Sequence, residues 1–218
     1  MKPLLELVER GVVPDPVIRL GIRRLLRRRL RAEGGSCEAR AEARQRLLEQ
    51  MRAAPVALTP EKANEQHYEL PPAFFEEILG PHLKYSCCWW PAGVDTLAGA
   101  EASALRLTCE RAGIADGMEV LDLGCGWGAL GLWIAREHPR CRVLAVSNSR
   151  PQAAHIRRRA AERGLGNLEV VTADANTFRP DRRFDRVVSV EMFEHIRNWE
   201  LLLDRVAGWL EPDGRMLL

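Results

Sequence analysis

Two short segments of the chain carry residue types that can do chemistry together. The first is Leu121-Asp122-Leu123-Gly124-Cys125-Gly126-Trp127-Gly128. Its glycines follow a GxGxG spacing, distinct from the dinucleotide GxGxxG. No Lys-Ser/Thr pair follows, which excludes a phosphate-binding P-loop. Glycines at the end of a strand let the backbone approach a ligand closely. Asp122 stands two residues ahead of the first glycine, where a carboxylate accepts hydrogen bonds from a cationic amino group and repels a diphosphate. The amino-acid end of S-adenosylmethionine satisfies that requirement; a purely structural turn is the alternative. The second segment is Val190-Glu191-Met192-Phe193-Glu194-His195. Glu191, Glu194 and His195 fall at i, i+3 and i+4, so a helical turn would set all three on one side. A carboxylate beside an imidazole can share and move a proton near neutral pH, although a Glu-His pair elsewhere is most often a solvated surface feature.

Three further stretches supply candidate contacts. Ser147-Asn148-Ser149 and Gln152 stand where a dinucleotide enzyme usually places an acidic residue for ribose hydroxyls, so amides and hydroxyls would do that work here. Asp174, in Ala173-Asp174-Ala175, is placed either to accept an adenine amino group or to cap the turn that follows. Residues 64–90 are rich in aromatic and sulfur side chains. They read as a lid lending Tyr68, Tyr85 and Trp89 to a pocket for a cation, or as an apolar clasp.

The elements that must position these groups alternate from residue 116 onward. Strands are expected at 119–123, 142–146, 168–172 and 184–190, with a fifth beginning at Arg215 after a Glu211-Pro212-Asp213-Gly214 turn. Helices at 129–138, 151–163 and 198–210 separate them, which implies an α/β fold with a parallel sheet covered on both faces. Residues 1–60 form a basic helical region, 61–115 a lid segment and a helix leading into the core, and 116–218 the core itself. In the basic region Asp15 and Pro16 open a helix, and Glu33-Gly34-Gly35-Ser36 breaks it. A second helix covers 38–51, and 53–60 reads as a linker.

The formal net charge of +2 over 218 residues conceals an asymmetry, because residues 1–52 are net +6. Ile18, Ile22, Leu25, Leu26 and Leu30 recur at helical spacing among seven arginines between Arg19 and Arg31. Such a helix either packs its apolar stripe with its arginines solvated, or lies on an anionic membrane. It lacks aromatic residues to stack on bases, so no nucleic-acid partner is expected. No apolar run is long enough to span a membrane, and the N-terminus lacks the features of a secretory signal. The six cysteines include no CxxC pair and no histidine at zinc-finger spacing. They read as reduced, mostly buried thiols of a cytoplasmic protein with no bound metal.

Together these residues resemble the coclaurine N-methyltransferase branch of the cyclopropane-fatty-acid-synthase-like methyltransferases. The segments NEQHYELP, LKYSCCWW, LDLGCGWGAL, AVSNSRPQ and VEMFEHIRNWELLL carry the resemblance, in order, from about residue 60 to 218. The arginine-rich helix is similar to the family's N-terminal region. The resemblance implies a class I (Rossmann-like) methyltransferase fold and S-adenosylmethionine as cofactor. It places Tyr85, Ser86, Gly124, Gly126, Asn148, Gln152 and Asp174 around that cofactor, with Glu194 and His195 as the catalytic pair. Tyr68, Glu69 and Glu191 then belong to the substrate pocket. The implied substrate is a small amine. The lipid-modifying synthases of the family typically carry Gly at the position of Glu191. They also use a bicarbonate ion, which Cys87 and Glu194 would hold here if alkylation of a phospholipid alkene were the activity. The resemblance further implies two more strands and a substrate-covering region beyond Leu218. A sheet cut in its fifth strand has a raw edge, so the 218-residue chain is expected to aggregate, to bind cofactor weakly, or to act as a non-catalytic fragment.

Overall fold

The computed structural model describes residues 2–59 and 70–218. Tyr68 and Glu69 therefore lie outside the described residues. The chain separates into two compact units, Met1–Gln50 and Met51–Leu218.

The first unit holds helices α1 (Lys2–Glu9) and α2 (Asp15–Glu33) and most of α3 (Cys37–Arg52). Pro14 occupies the N-cap position of α2 and Asp15 is its first helical residue, so Asp15 supplies negative charge to the first turn instead of a cap. No side chain of α2 or α3 is buried.

The second unit contains α4 (Pro72–Ile78), α5 (Leu97–Ala112), β1 (Glu119–Leu123), α6 (Ala129–Glu137), β2 (Arg142–Ser147), α7 (Arg150–Glu162), β3 (Leu168–Thr172), β4 (Phe184–Val188), a single 3-10 turn (Phe193–His195), α8 (Trp199–Trp209) and β5 (Leu210–Leu217). All pairings are parallel, in the order β3-β2-β1-β4-β5. Strand order reverses direction between β1 and β4, and ligands of such sheets bind at the carboxyl ends beside that switch.

Period-2 alternation along the buried strands explains the two covered faces. Leu121, Leu123, Leu144, Val146 and Val187 pack on one side with Leu202, Val206 and Trp209 of α8. Val120, Val143 and Val188 point the other way, against Leu105 and Cys109 of α5 and Leu130, Trp133 and Ile134 of α6. Ala153, Ile156 and Ala160 of α7 continue that layer over Ala145 and Val170. Asp122 shares the parity of Val120, so a carboxylate enters this apolar layer.

Two boundaries differ from the sequence reading. β4 ends at Val188; Ser189 still donates its amide to Leu217 O at 3.0 Å, and its hydroxyl to Leu123 O at 2.7 Å. β5 begins at Leu210, and its register shifts between the Phe184↔Leu210 and Arg186↔Arg215 pairs. The expected Glu211–Gly214 turn is thus an excursion inside a longer strand. Of the six cysteines, Cys109, Cys125 and Cys141 are buried and Cys88 half-buried, whereas Cys37 and Cys87 are exposed; all are free thiols.

Candidate functional site

The β1/β4 switch opens into a cavity of about 180 Å³. Tyr85, Ser86, Asp122, Gly124, Gly126, Glu191, Glu194 and His195 all line it, together with Lys84 and Trp127. Residues as far apart in the chain as Lys84 and His195 thus meet around the ends of β1 and β4, which lie side by side.

Asp122 is almost inaccessible to solvent and its Oδ2 makes no hydrogen bond. Burial pushes its carboxyl up to about 7, an effect only partly opposed by the Gly131 backbone amide of α6. An acceptor left unsatisfied at the wall of a cavity is costly unless a ligand donor reaches it. An ammonium group has the donors and the charge to do so.

The glycine loop folds back over β2, with the amides of Gly124 and Cys125 both bonded to Val146 O at 3.0 Å. Gly124 has φ +84°, and a Cβ there would come within 2.5 Å of Met192 Cγ. Its lack of a side chain makes room for the segment after β4, not for a ligand. Gly126, at φ +52°, has no atom within 4 Å of where its Cβ would be. Its bare backbone is therefore the part of the loop open to close approach.

The segment after β4 departs from the expected helical turn. Only Phe193–His195 form one, a 3-10 turn, while Glu191 takes a left-handed backbone at φ +53°. Phe193 and Ile196 anchor the segment in the core, leaving Glu191, Glu194 and His195 exposed at the cavity wall. A left-handed conformation costs a non-glycine residue roughly 1–2 kcal/mol. The lipid-modifying synthases that this chain resembles typically have Gly there. Glu191 thus presents its carboxylate at the cavity wall in spite of that backbone cost.

Ser86 and Tyr85 reach the cavity through the loop 79–87, which one side chain organises. Glu101 of α5 is fully buried and accepts the backbone amides of Gly80 (3.1 Å), His82 (2.9 Å) and Lys84 (3.1 Å). Leu83, itself left-handed at φ +52°, packs with Phe75 and Trp127 beneath the loop. Of the described part of the expected lid, Tyr85 lines the cavity, whereas Trp89 is an exposed side chain absent from that lining.

The remaining candidates stand apart from this cavity, at the ends of β2 and β3. Gln152 is buried; its Oε1 accepts from Ser147 Oγ at 2.8 Å and its Nε2 makes no bond. Asn148 is exposed. Asp174 accepts the Asn176 amide at 2.8 Å, the turn-capping alternative of its sequence reading, and the pair braces residue 57 through Asn176. The unbonded Asp122 Oδ2 and Gln152 Nε2 and the open face of Gly126 fit the polar groups and close approach of an aminoacyl-nucleoside such as the expected cofactor. Lys84 and Trp127 were not singled out in the sequence. Lys84 immediately precedes the Tyr-Ser pair, the one signal that pointed to it.

Comparison with known proteins places this geometry. The mycolic acid cyclopropane synthetase family model matches residues 57–218. The chain is 40% identical over 219 aligned residues to (S)-coclaurine N-methyltransferase of Thalictrum flavum subsp. glaucum, covering 99% of this chain and 60% of that protein. It is 35% identical over 156 residues to cyclopropane-fatty-acyl-phospholipid synthase of Escherichia coli K12, covering 71% of this chain and 39% of that protein. A crystal structure of coclaurine N-methyltransferase bound to N-methylheliamine and SAH superposes with a TM-score of 0.84 at 40% identity, over 98% of this chain and 62% of that one. The chain thus spans about three-fifths of the length of the coclaurine N-methyltransferases it matches. The fold is that of a class I methyltransferase, and the chain belongs to the mycolic acid cyclopropane synthetase family, within which it resembles the coclaurine N-methyltransferase branch.

Proposed function

We propose that the protein is an S-adenosylmethionine-dependent N-methyltransferase acting on a small amine. One observation carries the reading: Glu191, held in a backbone conformation suited to glycine, lines the same cavity as Glu194, His195 and the unbonded Asp122. Asp122 and Gly126 would hold the amino-acid end of the cofactor, with Tyr85 and Ser86 beside it; Gln152 would contact its nucleoside. When bound, the cofactor supplies an activated sulfonium methyl group. The chain's own residues prepare the acceptor. An amine attacks only through a neutral nitrogen, so an ammonium substrate must first lose a proton. Glu194 Oε and a His195 ring nitrogen take that proton, while Glu191 attracts and orients the cationic amine. The relatives named for N-methylation of coclaurine and tetrahydroprotoberberine support an alkaloid-like acceptor.

Labelled S-adenosylmethionine, offered with a panel of secondary amines and separately with unsaturated phospholipid vesicles, tests the reading. Label is expected in an amine. The double variant Glu194→Gln/His195→Ala is expected to lower turnover at least 100-fold while S-adenosylhomocysteine still binds. Full activity in that variant would remove both residues from catalysis.

Lipid alkylation is the second reading, favoured by the family model and by the Escherichia coli relative. Under it Cys87 and Glu194 hold bicarbonate. In either case we place the protein in the cytoplasm, with α2 contacting anionic membrane surfaces: its Val17, Leu20, Ile22, Leu25, Leu26 and Leu30 are all more than half exposed beside seven arginines.

A further inference from the structure

Lys84 is the buried cation of the cavity. Only 8% of the residue is exposed, yet it lines the same cavity as Asp122. Its ammonium donates to Ser86 Oγ and to Cys87 O, the latter at 2.7 Å. Both acceptors are neutral, and among the described residues no carboxylate forms an ion pair with it. A lysine this deeply buried is rare without a paired anion, because desolvating an ammonium costs several kcal/mol unless an opposite charge offsets it.

Asp122 poses the mirror-image problem: a buried carboxylate with one oxygen unbonded. Among the described residues, one cavity thus holds an acid with one unbonded oxygen and an ammonium bonded only to neutral acceptors, and the two do not bond to each other. A ligand bearing one positive and one negative group would satisfy both, and an α-amino acid is the simplest such group. The proposed cofactor ends in one. Resting on that reading, we infer that Lys84 binds the carboxylate of the ligand's amino-acid end, with Ser86 alongside, while Asp122 binds its ammonium. The ligand carboxylate then replaces the missing counter-charge. Glu101 sets the ammonium's position by tying down the Lys84 amide, and the Lys84 Nζ–Cys87 O bond keeps the ammonium directed along the loop.

A purely structural lysine, one that only ties Ser86 to Cys87, makes a different prediction. Two probes separate the two: S-adenosylhomocysteine, and its decarboxylated counterpart S-adenosyl-3-thiopropylamine, which keeps the ammonium and lacks the carboxylate. Titration calorimetry on the wild-type protein is expected to show about 10- to 100-fold tighter binding of the first, the scale of a charge-assisted hydrogen bond. Lys84→Met is expected to lose that preference by weakening S-adenosylhomocysteine alone, whereas Lys84→Arg retains most of it. Lys84→Gln replaces Lys84→Met if the latter fails to fold. Equal affinity of the wild type for both probes overturns the inference without any variant. So does a variant that weakens both probes equally, since that is the signature of a loop tie. Wild-type protein that binds neither probe overturns the cofactor reading, and this inference with it.

Discussion

At the scale of single residues, Asp122 shows how a site can be built at the expense of the fold. Its carboxyl titrates at about 7 in the folded protein, against an ordinary 3.8. Below about pH 4 the group is protonated both folded and unfolded and has no differential effect. As pH rises toward 7 the unfolded chain ionises readily and the folded one does not, so folding is progressively penalised. The penalty levels off above pH 7 on the order of 4 kcal/mol. The ligand-free protein is therefore expected to lose thermal stability between about pH 4 and 7, and Asp122→Asn to flatten that profile and raise Tm above pH 7. A ligand ammonium reverses the effect by favouring the ionised form. Binding S-adenosylhomocysteine at pH 6.5 should then release about three-quarters of a proton from the wild type and none from Asp122→Asn, as read by calorimetry in two buffers of different ionisation enthalpy. Proton uptake on binding would refute this account. The aspartate and the glycines were legible because their types and spacing are unusual. Lys84 was not, because a lysine in a sequence reads as solvated surface, and its burial arises only when α5 packs under the loop. The left-handed backbone of Glu191 was equally hidden, since the i, i+3, i+4 spacing puts Glu191 inside a helical turn, whereas the turn that forms covers only Phe193–His195.

Between residues and the whole fold, the loop 79–87 is the element on which the cavity depends, and it has no regular structure of its own. Three of its backbone donors, those of Gly80, His82 and Lys84, are satisfied by one side chain from another element, Glu101. Removing that acceptor strands the buried Lys84 amide and the half-buried amides of Gly80 and His82; an unsatisfied buried amide costs about 1–3 kcal/mol and a half-buried one less. Glu101→Ala is expected to lower stability by about 3 kcal/mol in urea denaturation, and to weaken S-adenosylhomocysteine binding about 10-fold. Glu101→Gln keeps one acceptor oxygen, enough for the Gly80 and Lys84 amides, but sets an NH2 group against the His82 amide, so it should recover only part of both. A binding constant unchanged in Glu101→Ala would show that the loop holds its shape without the carboxylate. The strands and helices of the core were readable from sequence to within a few residues, because each is an apolar run ended by Gly, Asn or a polar turn. The β5 boundary was not. Glu211-Pro212-Asp213-Gly214 is a strong turn signal, and pairing with β4 on either side of it absorbs that turn as a register shift. Loop 79–87 carries no periodic signal, and its geometry is set by a contact from α5.

Over the whole molecule, charge is divided between the two units. α2 carries seven arginines and only Asp15 and Glu33 as acids, a net +5. Those acids sit at its ends, near Arg19 and Arg29 respectively, so the middle of the helix has no compensating charge along it. Near an anionic bilayer each basic side chain contributes about 1 kcal/mol, screened within a Debye length. If α2 contacts membranes as proposed, five net charges together with an exposed apolar stripe would give binding that is tight at low salt and lost at high salt. The protein is expected to co-sediment with vesicles containing 30% anionic lipid and not with purely zwitterionic ones. About 0.5 M NaCl should release it. Arg23→Gln/Arg24→Gln/Arg27→Gln/Arg28→Gln is expected to abolish co-sedimentation while leaving S-adenosylhomocysteine affinity at the wild-type value, because none of these residues lines the cavity. Salt-insensitive binding to both vesicle types would point to the apolar stripe acting alone, and absence of binding to either would leave α2 a solvated helix. The same vesicles, prepared with unsaturated acyl chains, also provide the lipid arm of the substrate test. If label passes from the cofactor to amines while the protein is vesicle-bound, membrane attachment locates the enzyme and does not supply its substrate.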